Sequence, residues 1–167
     1  RVMGKVKAKQ SVKFAQVGNF MKKYTPKDMT DYANWVKHSF YKEYPQHLPS
    51  ELIGYSLNIK IDVFYSIPKS FSNAKKQKAI NGIIRPTVKP DWDNISKNIC
   101  DALNGIVYPD DKAIVTGTVN KYYAEFDYVN IEIDVNTTYK YASMQQSEEN
   151  VDIKQFEDDR NSSTGNI

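Results

Sequence analysis

Residues 55–65 read Tyr-Ser-Leu-Asn-Ile-Lys-Ile-Asp-Val-Phe-Tyr, a stretch in which apolar and polar side chains alternate. Successive side chains of an extended chain point to opposite faces, so the alternation places the apolar residues on one face. These residues are Leu57, Ile59, Ile61, Val63 and Tyr65, and the other face carries Asn58, Lys60 and Asp62. The pattern predicts a half-buried strand whose apolar face lies against the core.

Further helices and strands are predicted on both sides of this strand. Upstream, apolar residues at helical spacing predict a helix that begins after Thr30 as its N-cap and runs to Tyr44, before Pro45. The downstream predictions are a short basic helix at 74–80, a helix at 94–104 that ends at Gly105, and strands at 113–123 and 128–135. This order predicts an α+β, or mixed α/β, fold in which helices pack on a small mixed sheet.

The composition changes near both ends of the chain. Residues 1–28 are polar and basic, which is typical of a loop or an edge segment. Residues 136–167 are rich in Ser, Asn, Gln and acidic residues, have few large apolar side chains, and predict a disordered tail. We therefore expect one domain at 1–135, followed by a polar, acidic C-terminal tail at 136–167.

The net charge of +3 hides an uneven distribution of charge. Residues 1–27 carry eight basic and no acidic side chains, and residues 69–89 carry six basic and no acidic ones. Such stretches favour a polyanionic partner, because Lys and Arg release the counterions that condense on phosphates; a solvated basic face is the alternative. The candidate DNA contacts are Lys5, Lys7, Lys9, Lys13, Lys69, Lys75, Lys76, Lys78, Arg85 and Lys89.

Several classes of protein are excluded by what the sequence lacks. Cys100 is the only cysteine, so no intrachain disulfide can form, and we expect a cytoplasmic protein of a bacterium or of a phage's host. No window approaches the roughly 18 consecutive apolar residues of a membrane span, and no secretory signal is visible. His38 and His47 are the only histidines and lack a partner at zinc-ligand spacing. Cys100, in the middle of a predicted helix, fits a packing residue better than a nucleophile.

Residues 89–105 carry the most informative pattern: Lys-Pro-Asp-Trp-Asp-Asn-Ile-Ser-Lys-Asn-Ile-Cys-Asp-Ala-Leu-Asn-Gly. If Asp91–Asp93 is extended, both carboxylates share one side and Asp93 takes the N-cap position of the next helix. On that helix Asp93, Lys97 and Asp101 fall at steps of four. The opposite, buried stripe is predicted to be Ile95, Ile99, Ala102 and Leu103. Asp91, Asp93 and Lys97 can therefore converge on one exposed surface.

A second acidic pair, Asp110-Asp111, opens the next predicted strand shortly after Gly105. The connecting loop is short enough to bring this pair beside the first one. Crowded carboxylates repel one another unless a cation lies between them, and Mg²⁺ takes a few carboxylates together with phosphate oxygens. Such an ion can acidify an attacking water and neutralise charge on a phosphate, while Lys97 can stabilise the developing charge or orient the water.

Each of these residues also has an ordinary structural interpretation. Asp93 fits a simple N-cap, and Lys97 with Asp93 or Asp101 fits a surface ion pair of little energetic value. Asp110-Asp111 directly follows Pro109 and fits plain turn chemistry. Taken singly, none of the candidates decides between structure and function.

The whole segment from Lys89 to Gly105, followed by Asp-Asp-x-x-Ile at 110–114, resembles the signature of the RusA-like Holliday-junction resolvases. The similarity extends over about 4–135. Residues 4–14 resemble the family's basic N-terminal strand, 24–27 its Tyr-Thr-Pro element, and 67–72 its Pro-Lys-Ser stretch. One position departs from the family, because Ala113 stands where the family often has Gln.

This resemblance implies a homodimeric, Mg²⁺-dependent crossover junction endodeoxyribonuclease that acts in DNA recombination and repair, with Mn²⁺ as a substitute metal. The resemblance further implies that the enzyme nicks four-way junctions symmetrically. By motif match, the metal carboxylates would be Asp91, Asp93 and Asp111, the catalytic lysine Lys97, and the supporting residues Asp110 and Asp101. Two other functions stay open: a nuclease for flaps or forks, and a catalytically silent, basic DNA-binding protein.

Overall fold

A computed structural model describes residues 1–7, 13–18, 20–24 and 27–136 of the protein. The side chains of 13, 14, 17, 23, 24, 28 and 29 lie outside the description. So do Lys9, part of the Tyr-Thr-Pro element, and residues 137–167, for which a disordered tail was predicted.

Within these ranges the structure has three α-helices and six strands. The helices are α1 (Lys27–Glu43), α2 (Asn73–Ile80) and α3 (Trp92–Leu103). The strands are β1 (Val2–Met3), β2 (Lys13–Val17), β3 (Phe20–Tyr24), β4 (Ser56–Ser66), β5 (Ile114–Ala124) and β6 (Tyr128–Asn136). The predicted α+β fold, with helices on a small mixed sheet, is confirmed. No helix in the described part of the chain is both long and apolar enough to cross a membrane.

Four strands form the main sheet, in the order β1-β6-β4-β5. Strand β4 pairs in parallel with β5 and antiparallel with β6, so the sheet is mixed. The apolar face that the alternation predicted for β4 is confirmed, since Leu57, Ile61 and Val63 are fully buried. Helices α1 and α3 contribute Val36, Ile95 and Ile99 to the same core.

Two predictions about the N-terminal part of the chain are wrong. Residues 13–24, expected as a loop or edge segment, form the β2–β3 hairpin, with Gly18 at a positive φ of 61° in its turn. Helix α1 begins at Lys27, so Thr30 lies inside the helix and is not its N-cap. Lys and Met are good helix formers, which lets the helix extend back across 27–29, ahead of the buried Tyr32.

Strand β4 lies between two strands that follow each other directly in the chain. The turn at 125–127 therefore carries the chain from β5 to β6 across the end of β4. The Asp127 carboxylate accepts hydrogen bonds from the Ser66 backbone N–H (2.9 Å) and the Ser66 hydroxyl (3.2 Å). Its carbonyl also accepts from the Gly4 N–H at 2.9 Å. Asp127 thus ties the crossing turn both to the end of β4 and to the N-terminal segment.

Replacing Asp127 by Ala is expected to lower the free energy of unfolding by about 1–3 kcal/mol, because hydrogen bonds to a charged acceptor are lost at the crossing. The measurement is urea unfolding followed by circular dichroism. Glu125→Ala, at an exposed position of the same turn, is the matched control and should change stability by less than about 0.5 kcal/mol. Equal effects of the two substitutions would contradict the role assigned to Asp127.

Candidate active site

Helix α3 begins two residues earlier than the sequence suggested. Asp91, with φ −73° and ψ 160°, is the N-cap, and the Ile95 N–H donates to the Asp91 carbonyl at 3.1 Å. The prediction of an extended Asp91–Asp93 segment with Asp93 as the cap is therefore wrong, since Trp92 and Asp93 already belong to the helix. The helix dipole stabilises an acidic side chain in the first turn, so Asp93 does not destabilise a helix that begins at Trp92.

The first turn of α3 presents both aspartates to solvent. Asp91 and Asp93 are exposed, and the Asp91 carboxylate makes no capping hydrogen bond even though Asp91 occupies the N-cap position. One turn further on, Lys97 is also exposed, whereas Asp101 is half-buried. In the described part of the chain Lys97 forms no ion pair with Asp93, so the surface-ion-pair interpretation of these two residues is not supported.

The opposite side of α3 anchors the helix in the core. The predicted stripe is confirmed, because its four residues are at most 2% exposed: Ile95, Ile99, Ala102 and Leu103. Asn98 is buried as well, and its amide donates to the Lys7 carbonyl at 2.8 Å, which holds the N-terminal segment against the helix. One face of α3 is thus immobilised by packing while the other carries Asp93 and Lys97.

The loop after α3 folds back along the last turns of the helix. Gly105 adopts a positive φ of 69°, and its N–H donates to the Tyr108 carbonyl at 2.8 Å. The fully buried Tyr108 donates its hydroxyl to the Cys100 carbonyl at 3.1 Å. Burial raises the pKa of both Cys100 and Tyr108, and the nearby charge of Asp111 raises each further. Asp111 therefore lies near Cys100 and Tyr108, toward the C-terminal end of α3, whereas the short loop was expected to bring it beside Asp91 and Asp93 at the start of the helix.

Burial also has a consequence for Cys100 as a candidate nucleophile. Since burial is the largest cause of the raised pKa, the thiol stays protonated at neutral pH, and a protonated thiol is a poor nucleophile. The structure supports the interpretation of Cys100 as a packing residue, since it lies against the hydrophobic core.

The two members of the acidic pair differ in what surrounds them. Asp110 caps the short 3₁₀ helix Asp111–Ala113, because its carboxylate accepts from the Lys112 N–H at 3.0 Å. That hydrogen bond, helped by the Lys112 ammonium 3.5 Å away, lowers the pKa of Asp110. Asp110 thus has the turn role that its position after Pro109 suggested. Ala113, where the family often has Gln, packs against the core, so this chain has no polar contact there.

The described residues contain no group of three or more His, Cys, Asp or Glu side chains placed to hold a metal ion. The structure therefore does not bring Asp111 together with Asp91 and Asp93 as three ligands of one ion. The chemistry of the donors nevertheless fits Mg²⁺, which is bound by one or two carboxylates together with water and substrate phosphate oxygens. Asp91 and Asp93 are exposed and separated by one residue, and neither carboxylate makes a hydrogen bond or ion pair with another described residue.

Most of the predicted DNA contacts are exposed lysines. On α2, Lys75 and Lys78 are exposed, and the Lys75 ammonium lies 4.1 Å from the centre of the Phe71 ring. The other exposed members of the prediction are Lys5, Lys7, Lys69 and Lys89, while Lys76 is half-buried. Arg85 differs from them, because its guanidinium stacks at 3.8 Å on the Tyr122 ring and its Nε donates to the Lys121 carbonyl. The side chains of Lys9 and Lys13 lie outside the description.

Lys121 contacts the segment that leads to Asp91, and the sequence did not indicate this. Its ammonium donates to the Val88 carbonyl at 2.7 Å and to the Pro90 carbonyl at 2.5 Å. Lys121 lies in strand β5, 30 residues after Asp91, and nothing in its neighbourhood along the chain marks it out. Only the folded structure reveals the contact.

The protein is an α+β domain. Exposed aspartates lie at the start of a helix whose other face is buried in the core. The sequence model of the endodeoxyribonuclease RusA family matches residues 4–135, which is most of the chain. The protein belongs to this family of endodeoxyribonucleases, hydrolases that resolve Holliday junctions.

A curated relative shares part of the sequence. The protein YqaN of Bacillus subtilis (strain 168) is 39% identical over 105 residues, which cover 59% of this chain and 74% of YqaN. No solved structure matches the protein.

Proposed function

We propose that this protein is a Mg²⁺-dependent, structure-specific DNA endonuclease that resolves Holliday junctions by symmetric phosphodiester hydrolysis in recombination and repair. The observation that carries the proposal is the first turn of α3. There Asp91 and Asp93 are exposed, with Lys97 one turn away, on a helix whose other face is buried in the core. Membership of the RusA family supports the same chemistry.

The proposed roles follow from the chemistry of each side chain. Asp91 and Asp93 would hold Mg²⁺, and the family motif assigns Asp111 as the third metal carboxylate. The ion would neutralise charge on the scissile phosphate and lower the pKa of a bound water. Lys97 would stabilise the charge that develops on the phosphoryl oxygens. Asp110 and Asp101 would act as supporting residues, Asp110 by capping the turn that carries Asp111.

The proposed DNA surface extends from this site over the basic residues. The exposed lysines of α2 and of the N-terminal segment would contact the phosphates of the junction arms. A homodimer would present two equivalent active sites to the two equivalent strands of a four-way junction, which accounts for symmetric nicking. A DNA substrate is in keeping with the cytoplasm of a bacterium, or of a phage's host, as the proposed location.

The central prediction concerns metal-dependent cleavage. With Mg²⁺, the purified protein should introduce paired nicks near the crossover of a labelled four-way junction, and with a chelator it should introduce none. Asp93→Asn should lower the cleavage rate by at least about 100-fold, since a metal ligand is lost, while the variant still binds the junction. Asp134→Asn, an exposed aspartate on β6, is the matched control and should cleave normally.

Cleavage that persists in chelator would refute the metal mechanism. Equal cleavage of a linear duplex and of a junction would refute the structural specificity, and preferred cleavage of flaps or forks would replace the junction by another branched substrate. Metal-dependent cleavage at the wild-type rate by Asp93→Asn would remove α3 from the active site.

A second prediction uses the two tryptophans of the chain. Trp92 lies between the two aspartates and is 56% exposed, whereas Trp35 lies on α1 and donates its indole N–H to the Met3 carbonyl at 2.8 Å. In Trp35→Phe, where Trp92 is the only tryptophan, adding a junction with Ca²⁺ should quench the tryptophan fluorescence. In Trp92→Phe the same addition should change it little. A larger change from Trp35 than from Trp92 would place the DNA elsewhere.

A third prediction tests the basic surface. If Lys78 contacts a phosphate, Lys78→Gln should reduce the slope of log K against log salt concentration by about 0.9 in junction binding. Lys42→Gln, an exposed lysine on α1 outside the predicted DNA surface, should leave the slope unchanged. Fluorescence anisotropy over a series of salt concentrations measures both variants. An unchanged slope for Lys78→Gln would exclude α2 from the interface at that position.

A further inference from the structure

Strand β5 holds the chain segment that precedes the exposed aspartates. Between α2 and α3, residues 81–91 form neither helix nor strand. In the middle of this stretch, the Arg85 Nε donates to the Lys121 carbonyl at 2.6 Å. At its end, the Lys121 ammonium donates to the carbonyls of Val88 and Pro90. One residue of β5 therefore contacts both ends of the segment 85–90.

The two carbonyls that Lys121 contacts gain more from its ammonium than from a neutral donor. Hydrogen bonds from a charged donor are roughly twice as strong as those between neutral groups. Pro86 and Pro90 have no N–H, so the segment cannot form a regular ladder with the edge strand β5. A long side chain with several donors can satisfy two carbonyls without such a ladder. The contact is thus specific to a residue with the length and charge of Lys121.

The anchor of this contact lies in the main sheet, beside a buried strand. Lys121 pairs with Val63 in the parallel register between β5 and β4, and Val63 is fully buried. On the same face of β5, Val119 and Tyr123 pack against the core. Pro90, the residue that Lys121 contacts, is itself buried and directly precedes Asp91. The ammonium group of Lys121 therefore links the segment that ends at Asp91 to the main sheet.

We propose that Lys121 is a positioning residue of the active site, which acts on the metal carboxylates by holding Pro90 and hence the N-cap Asp91 in place. This inference rests on the proposed function, because it assigns to Lys121 the placement of residues that are proposed to bind Mg²⁺. Lys121 does not touch DNA or the reacting atoms in this scheme. Lys97 keeps the role of the catalytic lysine, and the two lysines differ in what their ammonium groups contact.

The experiment compares Lys121→Met with Lys121→Arg and with Lys60→Met. Lys60 lies on β4, on the opposite face of the sheet, and its ammonium pairs with Asp62 (3.2 Å) and Glu132 (3.3 Å). Its substitution therefore removes a comparable set of interactions from the same sheet, away from the segment 85–90. For Lys121→Met, the Mg²⁺ concentration that gives half-maximal junction cleavage should rise by about 10-fold or more, as for other residues that orient metal ligands. Lys121→Arg should recover most of this change, and Lys60→Met should behave as the wild type.

A second readout needs no activity. The Ile95 amide, which donates to the Asp91 carbonyl, should exchange with deuterium faster in Lys121→Met than in the wild type or in Lys60→Met. Unchanged exchange at Ile95, or the same rise in Lys60→Met, would overturn the positioning role whatever the cleavage result. Faster exchange without a shift in Mg²⁺ dependence would also overturn it, since Lys121 would then serve stability alone. If the wild type does not cleave while exchange at Ile95 depends on Lys121, the proposed nuclease function fails and the placement of Asp91 by Lys121 stands.

Discussion

The insertion of β4 between β5 and β6 is the constraint on which the other features of the structure depend. Because β4 pairs with both neighbours, its backbone hydrogen-bonding groups are used on both sides, and its apolar face packs with residues of α1 and α3 in the core. Its insertion also forces the turn at 125–127 to cross the end of the strand, where Asp127 satisfies the Ser66 N–H. The same arrangement makes β5 an edge strand, and Lys121 of this strand contacts the segment that leads into α3.

The candidate site combines a helix packed into the core with carboxylates that make no hydrogen bond to the described residues. One face of α3 is packed into the core, so the first turn of the helix holds Asp91 and Asp93 in a defined orientation toward solvent. The carboxylate of an N-cap aspartate ordinarily accepts a hydrogen bond from a backbone N–H of the first helical turn. The carboxylate of Asp91 makes no such bond. Asp110 shows the ordinary case, since its carboxylate is used in capping and its pKa is lowered by the Lys112 N–H. The contrast between these two caps separates a carboxylate that maintains structure from one available to a ligand.

Local patterns predicted the elements whose periodicity is strong. The alternation at 57–65 and the helical stripe from Ile95 to Leu103 each depend on burial of one face, and burial leaves a period in the sequence. The hairpin at 13–24 lacks such a period, although the Gly18-Asn19 pair between two short runs was an available signal. The start of α3 was misplaced because Asp91 and Asp93 are both suitable N-caps, and residue type alone does not choose between them.

The sequence by itself determined the fold class, the buried face of β4 and of α3, and the set of acidic and basic residues available for chemistry. These follow from side-chain type and spacing along the chain. The tertiary structure decided the insertion of β4, because a short connection such as 125–127 is otherwise typical of two paired neighbours. It also decided the contact of Lys121 with Val88 and Pro90, which lie about 30 residues away. Contacts of this kind depend on how strands are ordered in the sheet, and the ordering leaves no mark on the residues that make the contact.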